Sequence, residues 1–347
     1  MQAEKKYFSE LDKFISLCQG LIEKGGAYHV VIANHELYRF LYPYEPYENF
    51  INDDPVNFIL GKIIELNEYL AIAQKTIKFY PLDVKDSEIL NVDRLEQSTS
   101  DLYTSLWKKF QNETLEEESR KLLEGRLSQK FIEENIVGKT VLDMGCGSGR
   151  YTLALALLGA KKVIGIDLFS QSYEIAKKIV KTKDLNVDFL EGNFHNLPFE
   201  NEKFDFIFSN GTIHHSSSID KSLDELYRVL KSNGKSFLYI YAAGGIFWNT
   251  RKKMRELFKG ISPEYTNEVL NLIGMPSNRF IFSDVWHVPI ETHTTTKELE
   301  KMCNDRGLNY EKTISKNLFD LDYAQSKNIR DAKIMWGDGE HRYILTK

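Results

Sequence analysis

The sequence predicts an α/β protein: a doubly wound, mostly parallel sheet, preceded by a mainly helical region and interrupted by an insertion after the fifth strand. Two observations carry this. The run Val141-Leu142-Asp143-Met144-Gly145-Cys146-Gly147-Ser148-Gly149-Arg150 reads as a buried strand passing through a glycine turn into a helix. From residue 139 onward, short apolar runs alternate with amphipathic stretches, as a sheet with crossover helices requires.

The elements follow in order. Residues 8–22 carry apolar side chains at helical spacing (Leu11, Phe14, Ile15, Cys18, Leu21, Ile22) and stop at Gly25-Gly26. Residues 28–42 are apolar and aromatic and fit a strand or a helix, and 43–55 are turn-rich. Helices are expected at 58–79, 95–110 and 114–136. Strands are expected near 140–145, 162–167, 186–190, 204–209 and 235–241, and helices near 149–159, 170–182 and 220–231, the last stopped by Ser232-Asn233-Gly234. The insertion at 242–294 holds a basic amphipathic helix at 247–258 and a second helix at 263–273. Thr295-Thr296-Lys297-Glu298 is a capping-box signal for a helix ending at Gly307, and strands near 309–315 and 341–346 close the chain. The division expected is a mainly helical N-terminal domain or cap at 1–136, a cofactor-binding domain at 137–347, and a substrate lid at 242–294.

Composition narrows the function. With 347 residues, 42% of them hydrophobic, the chain can bury a substantial core, and 27% charged residues are ordinary for a soluble protein. A net charge of −5 argues against a general nucleic-acid binder, which needs clustered Lys and Arg. Cys18, Cys146 and Cys303 make no CxxC pair and no metal-ligand spacing, so no metal is expected, and Cys146 reads as a space-filler in the turn. The first residues lack an apolar signal core and no apolar run approaches membrane-spanning length, so the expectation is a cytoplasmic enzyme.

The chemistry sits in the turn. Glycines 145, 147 and 149 let a ligand approach the backbone. Eighteen residues past Gly149, the run Val163-Ile164-Gly165-Ile166-Asp167 ends in an acid able to accept both hydroxyls of a ribose. A nicotinamide dinucleotide is the competing ligand, but its fingerprint wants a glycine where Arg150 stands. Asp143 would repel a pyrophosphate and suits a cationic amino group. The ligand that fits is an adenosine carrying an ammonium.

Here the sequence resembles the class I S-adenosylmethionine-dependent methyltransferases, over roughly 138–347, about three fifths of the chain. Beyond the turn and Asp167, three blocks match in order: Glu191-Gly192-Asn193-Phe194-His195-Asn196-Leu197-Pro198-Phe199, the adenine-side segment; Phe204-Asp205-Phe206-Ile207-Phe208-Ser209-Asn210-Gly211-Thr212-Ile213-His214-His215, the fourth strand and active-site edge; and 223–234, with Arg228-Val229-Leu230-Lys231. The resemblance implies a seven-stranded sheet whose last strand is antiparallel, S-adenosyl-L-methionine as cofactor and S-adenosyl-L-homocysteine as product. It places Asp143 at the methionine end beside Gly145 and Gly147, Asp167 on the ribose, Leu168 on the adenine face and Asn210 near the sulfonium. Asn193 departs from the acid common at its position, but its amide oxygen can take the adenine amino group. Phe194 would pack on adenine or in the core.

His214 and His215 are the candidate general bases, against a purely structural role. Tyr241, Trp248 and His293 are the candidate substrate contacts, in an insertion rich in aromatic residues. Tyr103 and Trp107 read as core. The function expected is methyl transfer to a small-molecule acceptor, a metabolite or natural-product intermediate reacting through O or N, by in-line displacement driven mainly by proximity. Methylation of a protein or RNA, or a catalytically inactive cofactor-binding regulatory subunit, are the alternatives. A homodimer stays open; no membrane partner is expected.

Overall fold

The computed structural model describes residues 2–42, 54–76, 115–168, 173–274, 279–313 and 318–347. The helix expected at 95–110, with Tyr103 and Trp107, and most of the 43–55 segment lie outside these residues. The chain forms two compact units, one of Met1–Ile89, Ala242–Val288 and Lys316–Gly339, the other of Leu90–Tyr241, Pro289–Ser315 and Glu340–Lys347. These divisions differ from a boundary at 136. Residues 115–136 go with the sheet because Leu123, Leu127, Ile132 and Ile136 pack on it with Val141, Phe206 and Phe208. The insertion goes with the N-terminal helices and ends at Val288.

The sheet unit holds seven strands: β1 Thr140–Met144, β2 Lys162–Asp167, β3 Val187–Glu191, β4 Phe204–Asn210, β5 Leu230–Tyr241, β6 Asn309–Lys312 and β7 Glu340–Thr346. Their order is β3-β2-β1-β4-β5-β7-β6, with β1 to β5 parallel and β7 antiparallel to both its neighbours, β5 and β6. Alternation along the strands builds two cores. Val141, Val163, Phe206, Phe208, Phe237 and Ile344 face α4 (Leu115–Glu124), α5 (Gln129–Asn135) and α6 (Arg150–Leu157). Leu142, Ile164, Ile207, Leu238 and Leu345 face the other way, toward α8 (Ile219–Val229) and α12 (Thr296–Asn304). Among the described residues this unit also holds α7 (Glu174–Thr182).

Three local expectations change. The stretch 114–136 is two helices, because the chain turns after Glu124 and Ser128 caps α5 by accepting from Phe131 N–H at 3.2 Å. α8 ends at Val229 and Leu230 already belongs to β5, so Ser232-Asn233-Gly234 lies in an irregular strand opening, with Asn233 at φ 63°. α12 ends at Asn304, three residues before Gly307. Its capping box is complete, with Thr295 and Glu298 each bonding the other's backbone N–H.

The helical unit contains α1 (Gln2–Glu23), α2 (Ala27–Leu41), α3 (Pro55–Thr76), α9 (Gly245–Phe258), α10 (Pro263–Leu272), α11 (Arg279–His287), α13 (Leu321–Ser326) and α14 (Ala332–Trp336). Tyr7, Leu11, Phe14, Cys18 and Leu21 form the buried stripe of α1. The Tyr7 hydroxyl meets Thr250 Oγ1 at 2.9 Å, and the buried pair Arg251–Asp284 ties α9 to α11 at 3.1 Å. Among the described residues no helix is long and apolar enough to cross a membrane.

Candidate active site

β1 and β4 are neighbours although the crossovers from β1 to β2 and from β4 to β5 run in opposite directions across the sheet. That reversal opens a crevice at the carboxyl ends of the strands, where ligands of such sheets bind. The glycine turn fills its floor. Gly145 and Cys146 donate their N–H groups to Ile166 O at 2.9 and 3.0 Å, holding the turn against β2. Gly145 (φ +91°) and Gly149 (φ +78°) have left-handed backbones. What occupies the missing Cβ positions is the chain itself: Thr212 at residue 145, Ala176 and Phe189 at residue 149. These two glycines serve close packing of the strand ends and of α7 as well as any ligand.

Asp167, at the tip of β2, accepts from Gly147 N–H through Oδ2 at 2.8 Å and from Leu168 N–H through Oδ1 at 2.9 Å. These bonds fix the carboxylate at the turn, at the carboxyl end of β2. Asp143 is 1% exposed and accepts from the Thr152 hydroxyl at 2.6 Å. Burial pushes its carboxyl up to about 7; the Thr152 hydrogen bond and Arg150 oppose the rise and Asp167 adds to it. Asn210 ends β4 with a buried Oδ1 that has no hydrogen-bond partner among the described residues. Asn193 Oδ1 accepts from His195 N–H at 2.8 Å, bracing its own loop. Phe194 is packed in the core with Leu142, Ile166 and Leu197. Burial pushes the Cys146 thiol well above its ordinary range, as suits a space-filling residue.

A second group stands at the ends of β4 and β5. His214 is buried between the rings of His215, 4.1 Å away, and Tyr241, 3.9 Å away. Its carbonyl accepts from the N–H and the hydroxyl of Thr292, at 2.8 and 2.9 Å. His215 Nδ1 donates to Ile290 O at 2.9 Å. These bonds fasten the segment 290–293 across the strand ends and bring in His293, whose ring centre lies 6.3 Å from that of Tyr241. His293 Nε2 meets Glu291 Oε1 at 2.9 Å, and the Glu291 side chain is fully buried while that of His293 is 18% exposed. Tyr241, His214, His215 and His293 therefore come together. Trp248 belongs to the helical unit, where it is buried against Phe247 and gives its indole N–H to Gly339 O at 3.1 Å.

Sequence reasoning missed Thr152, Glu291 and a third group around Tyr151 and Tyr239. Thr152 had a signal: one hydroxyl inside the buried run Tyr151–Leu155 needs a partner. Glu291 had none, since its value depends on the ring that folding sets beside it.

Comparison with known proteins gives a consistent picture. Residues 142–238 match a family described as a methyltransferase domain. The uncharacterized methyltransferase YcgJ of Bacillus subtilis is 35% identical over 99 residues, 28% of this chain and 39% of that protein. The tRNA U34 carboxymethyltransferase of Campylobacter hominis is 33% identical over 136 residues, 38% of this chain and 47% of that one. The demethylmenaquinone methyltransferase of Lactococcus lactis is 35% identical over 104 residues, 29% and 41% of the two chains. The chain thus spans under half the length of these curated relatives.

Proposed function

The chain carries a domain of the class I S-adenosylmethionine-dependent methyltransferases, and from that premise we propose that it transfers a methyl group from S-adenosylmethionine to an oxygen or nitrogen of a small-molecule acceptor. The observation that carries the reading is Asp167 drawn onto the glycine turn by Gly147 N–H, with Asp143 and Asn210 at the adjoining strand ends. The residues fit the cofactor. Asp167 would hold the ribose, while Asp143 and the unpartnered Asn210 Oδ1 would receive the ammonium. Arg150, at the start of α6, would face the carboxylate.

When bound, S-adenosylmethionine supplies a methyl on a sulfonium, an electrophile that is already activated. The chain's own residues then have to place the acceptor and exclude water. The acceptor's proton goes to a histidine of the second group. His214 and His215 are buried and fastened by backbone bonds, and we assign them and Tyr241 to the wall of the site. His293 is better placed to act as the base. The Glu291 carboxylate can only accept, so Nε2 carries the hydrogen and Nδ1 the lone pair. The buried carboxylate also stabilises the imidazolium once the proton arrives.

The tRNA relative makes an RNA acceptor the competing reading, and the net charge of −5 counts against it. Calorimetric titration with S-adenosylmethionine and with NAD tests the cofactor, and binding of NAD alone would remove the assignment. Release of S-adenosylhomocysteine with a small-metabolite fraction, but not with RNA or protein fractions, is the expected result; tight cofactor binding without turnover on any fraction would favour a regulatory subunit.

A further inference from the structure

Three guanidinium groups converge on two tyrosines of the sheet unit. Arg126 donates Nε–H to the Tyr151 hydroxyl at 2.9 Å and lies over both rings, 5.8 Å from the centre of Tyr151 and 5.7 Å from that of Tyr239. Arg150 lies over Tyr151 at 5.1 Å and Arg342 over Tyr239 at 4.6 Å. Glu340 accepts from Arg342 Nη2–H at 2.7 Å and from the Tyr239 hydroxyl at 2.8 Å. It balances one of the three cations. Among the described residues no carboxylate stands within ion-pair distance of Arg126, whose contacts are a neutral phenol and two ring faces. Among the described residues Arg342 Nε has no hydrogen-bond partner, and it is buried. Ring faces hold a guanidinium weakly, and a fixed oxyanion gives it stronger, charge-assisted hydrogen bonds.

The group adjoins the reacting end of the site. Gly211, directly after Asn210, is so close to Tyr239 that a Cβ there would touch its ring at 3.4 Å. Tyr239 and Tyr241 lie two residues apart on one face of β5 with ring centres 6.0 Å apart, and Tyr241 leads to His293. In the arrangement above, the cofactor's ammonium meets Asp143 and its carboxylate meets Arg150. The sulfonium adds one more positive charge, so cofactor binding leaves the surplus at Arg126 uncorrected.

Resting on the methyltransferase reading, we propose that the acceptor carries a carboxylate or phosphate group and that the guanidinium groups of Arg126 and Arg342, both set over the Tyr239 ring, bind it. An anion at Tyr239 places the rest of a small molecule along Tyr241 toward His293. It also offsets the sulfonium, which draws anionic acceptors into a cationic cleft.

The test is calorimetric titration, at low ionic strength, of inorganic phosphate and separately of acetate into protein saturated with S-adenosylhomocysteine. Saturable binding of one of them to that complex is expected, and whichever binds more tightly names the group. Arg126→Gln should weaken it about tenfold or more, and Arg126→Lys much less, with S-adenosylhomocysteine affinity held in both variants as the check on folding. Competition between the anion and S-adenosylhomocysteine would assign the arginines to the cofactor's own carboxylate and overturn the proposal. So would the absence of anion binding to the complex, or binding unchanged in Arg126→Gln. Failure of S-adenosylhomocysteine itself to bind would overturn the methyltransferase reading, and this proposal with it.

Discussion

Asp143→Asn should make the unliganded protein more stable and its cofactor binding weaker. Burial lifts the Asp143 carboxyl from 3.8 to about 7. A raised carboxyl value means that the folded chain holds this proton more tightly than the unfolded chain does. Its contribution to stability is therefore fully present below about pH 4, declines as pH rises, and levels off above about pH 7. At about 1.4 kcal/mol per unit, the loss is about 4.4 kcal/mol, an upper figure because a strained site relaxes. Asparagine keeps the shape and an oxygen for the Thr152 hydroxyl, but cannot ionise. In urea denaturation followed by circular dichroism, the stability gap between variant and wild type should widen by about 2.5 kcal/mol from pH 5 to pH 8. The same variant loses the ionic partner of the cofactor's ammonium, about 1.5–3 kcal/mol, or roughly 10- to 100-fold in S-adenosylhomocysteine affinity by calorimetry. A stability gap independent of pH would refute the burial argument, and undiminished affinity would refute the ammonium assignment.

Other expectations can be checked in the same way. Gly145→Ala sets a Cβ into the Thr212 side chain at φ +91°, and should cost about 2–4 kcal/mol, read as a lowered melting temperature; a wild-type melting temperature would contradict the packing described. Burial, with Arg255 adding to it, depresses His287 from 6.5 to about 4, so its contribution to stability is present above pH 6.5 and is lost as pH falls toward 4, by up to about 3 kcal/mol. His287→Gln should flatten that acid limb of the melting-temperature profile. Glu291→Gln should lower kcat about 10- to 100-fold at unchanged S-adenosylhomocysteine affinity, with nitrogen NMR of His293 showing mixed tautomers in place of one; unaltered turnover would remove the Glu291–His293 pair from the reaction.

Much of the sheet was legible because its evidence is local. Val141, Val163 and Phe206 announce buried strands by their immediate neighbours, and the Thr295–Glu298 box is a four-residue signal that the structure repeats bond for bond. Residues 28–42 stayed ambiguous for a physical reason. α2 buries Val30, Val31, Ala33, Asn34, His35, Leu37, Tyr38 and Leu41, so little polar face remained to mark its period. At the site, Asp143 and Asp167 could be read from their distance to the turn. Glu291 beside His293, and Arg126 over Tyr239, could not, because the latter pairing joins residues more than a hundred positions apart and no short window contains both.

The position of β7 has a consequence for how the chain is made. β7 comes last in sequence but lies inside the sheet, hydrogen-bonded to β5 on one side and β6 on the other. The helical unit likewise lacks α13 and α14 until residue 336 has been synthesised. During translation, β1 to β5 leave the ribosome with the β5 edge open, and β6 has no strand to join. The helical unit is incomplete before residue 339 and the sheet before residues 340–346, so the β5 edge stays unpaired until the last strand has emerged. A fragment ending near residue 240 would contain every glycine of the turn and both of its acids, and would still present an unpaired strand to its neighbours.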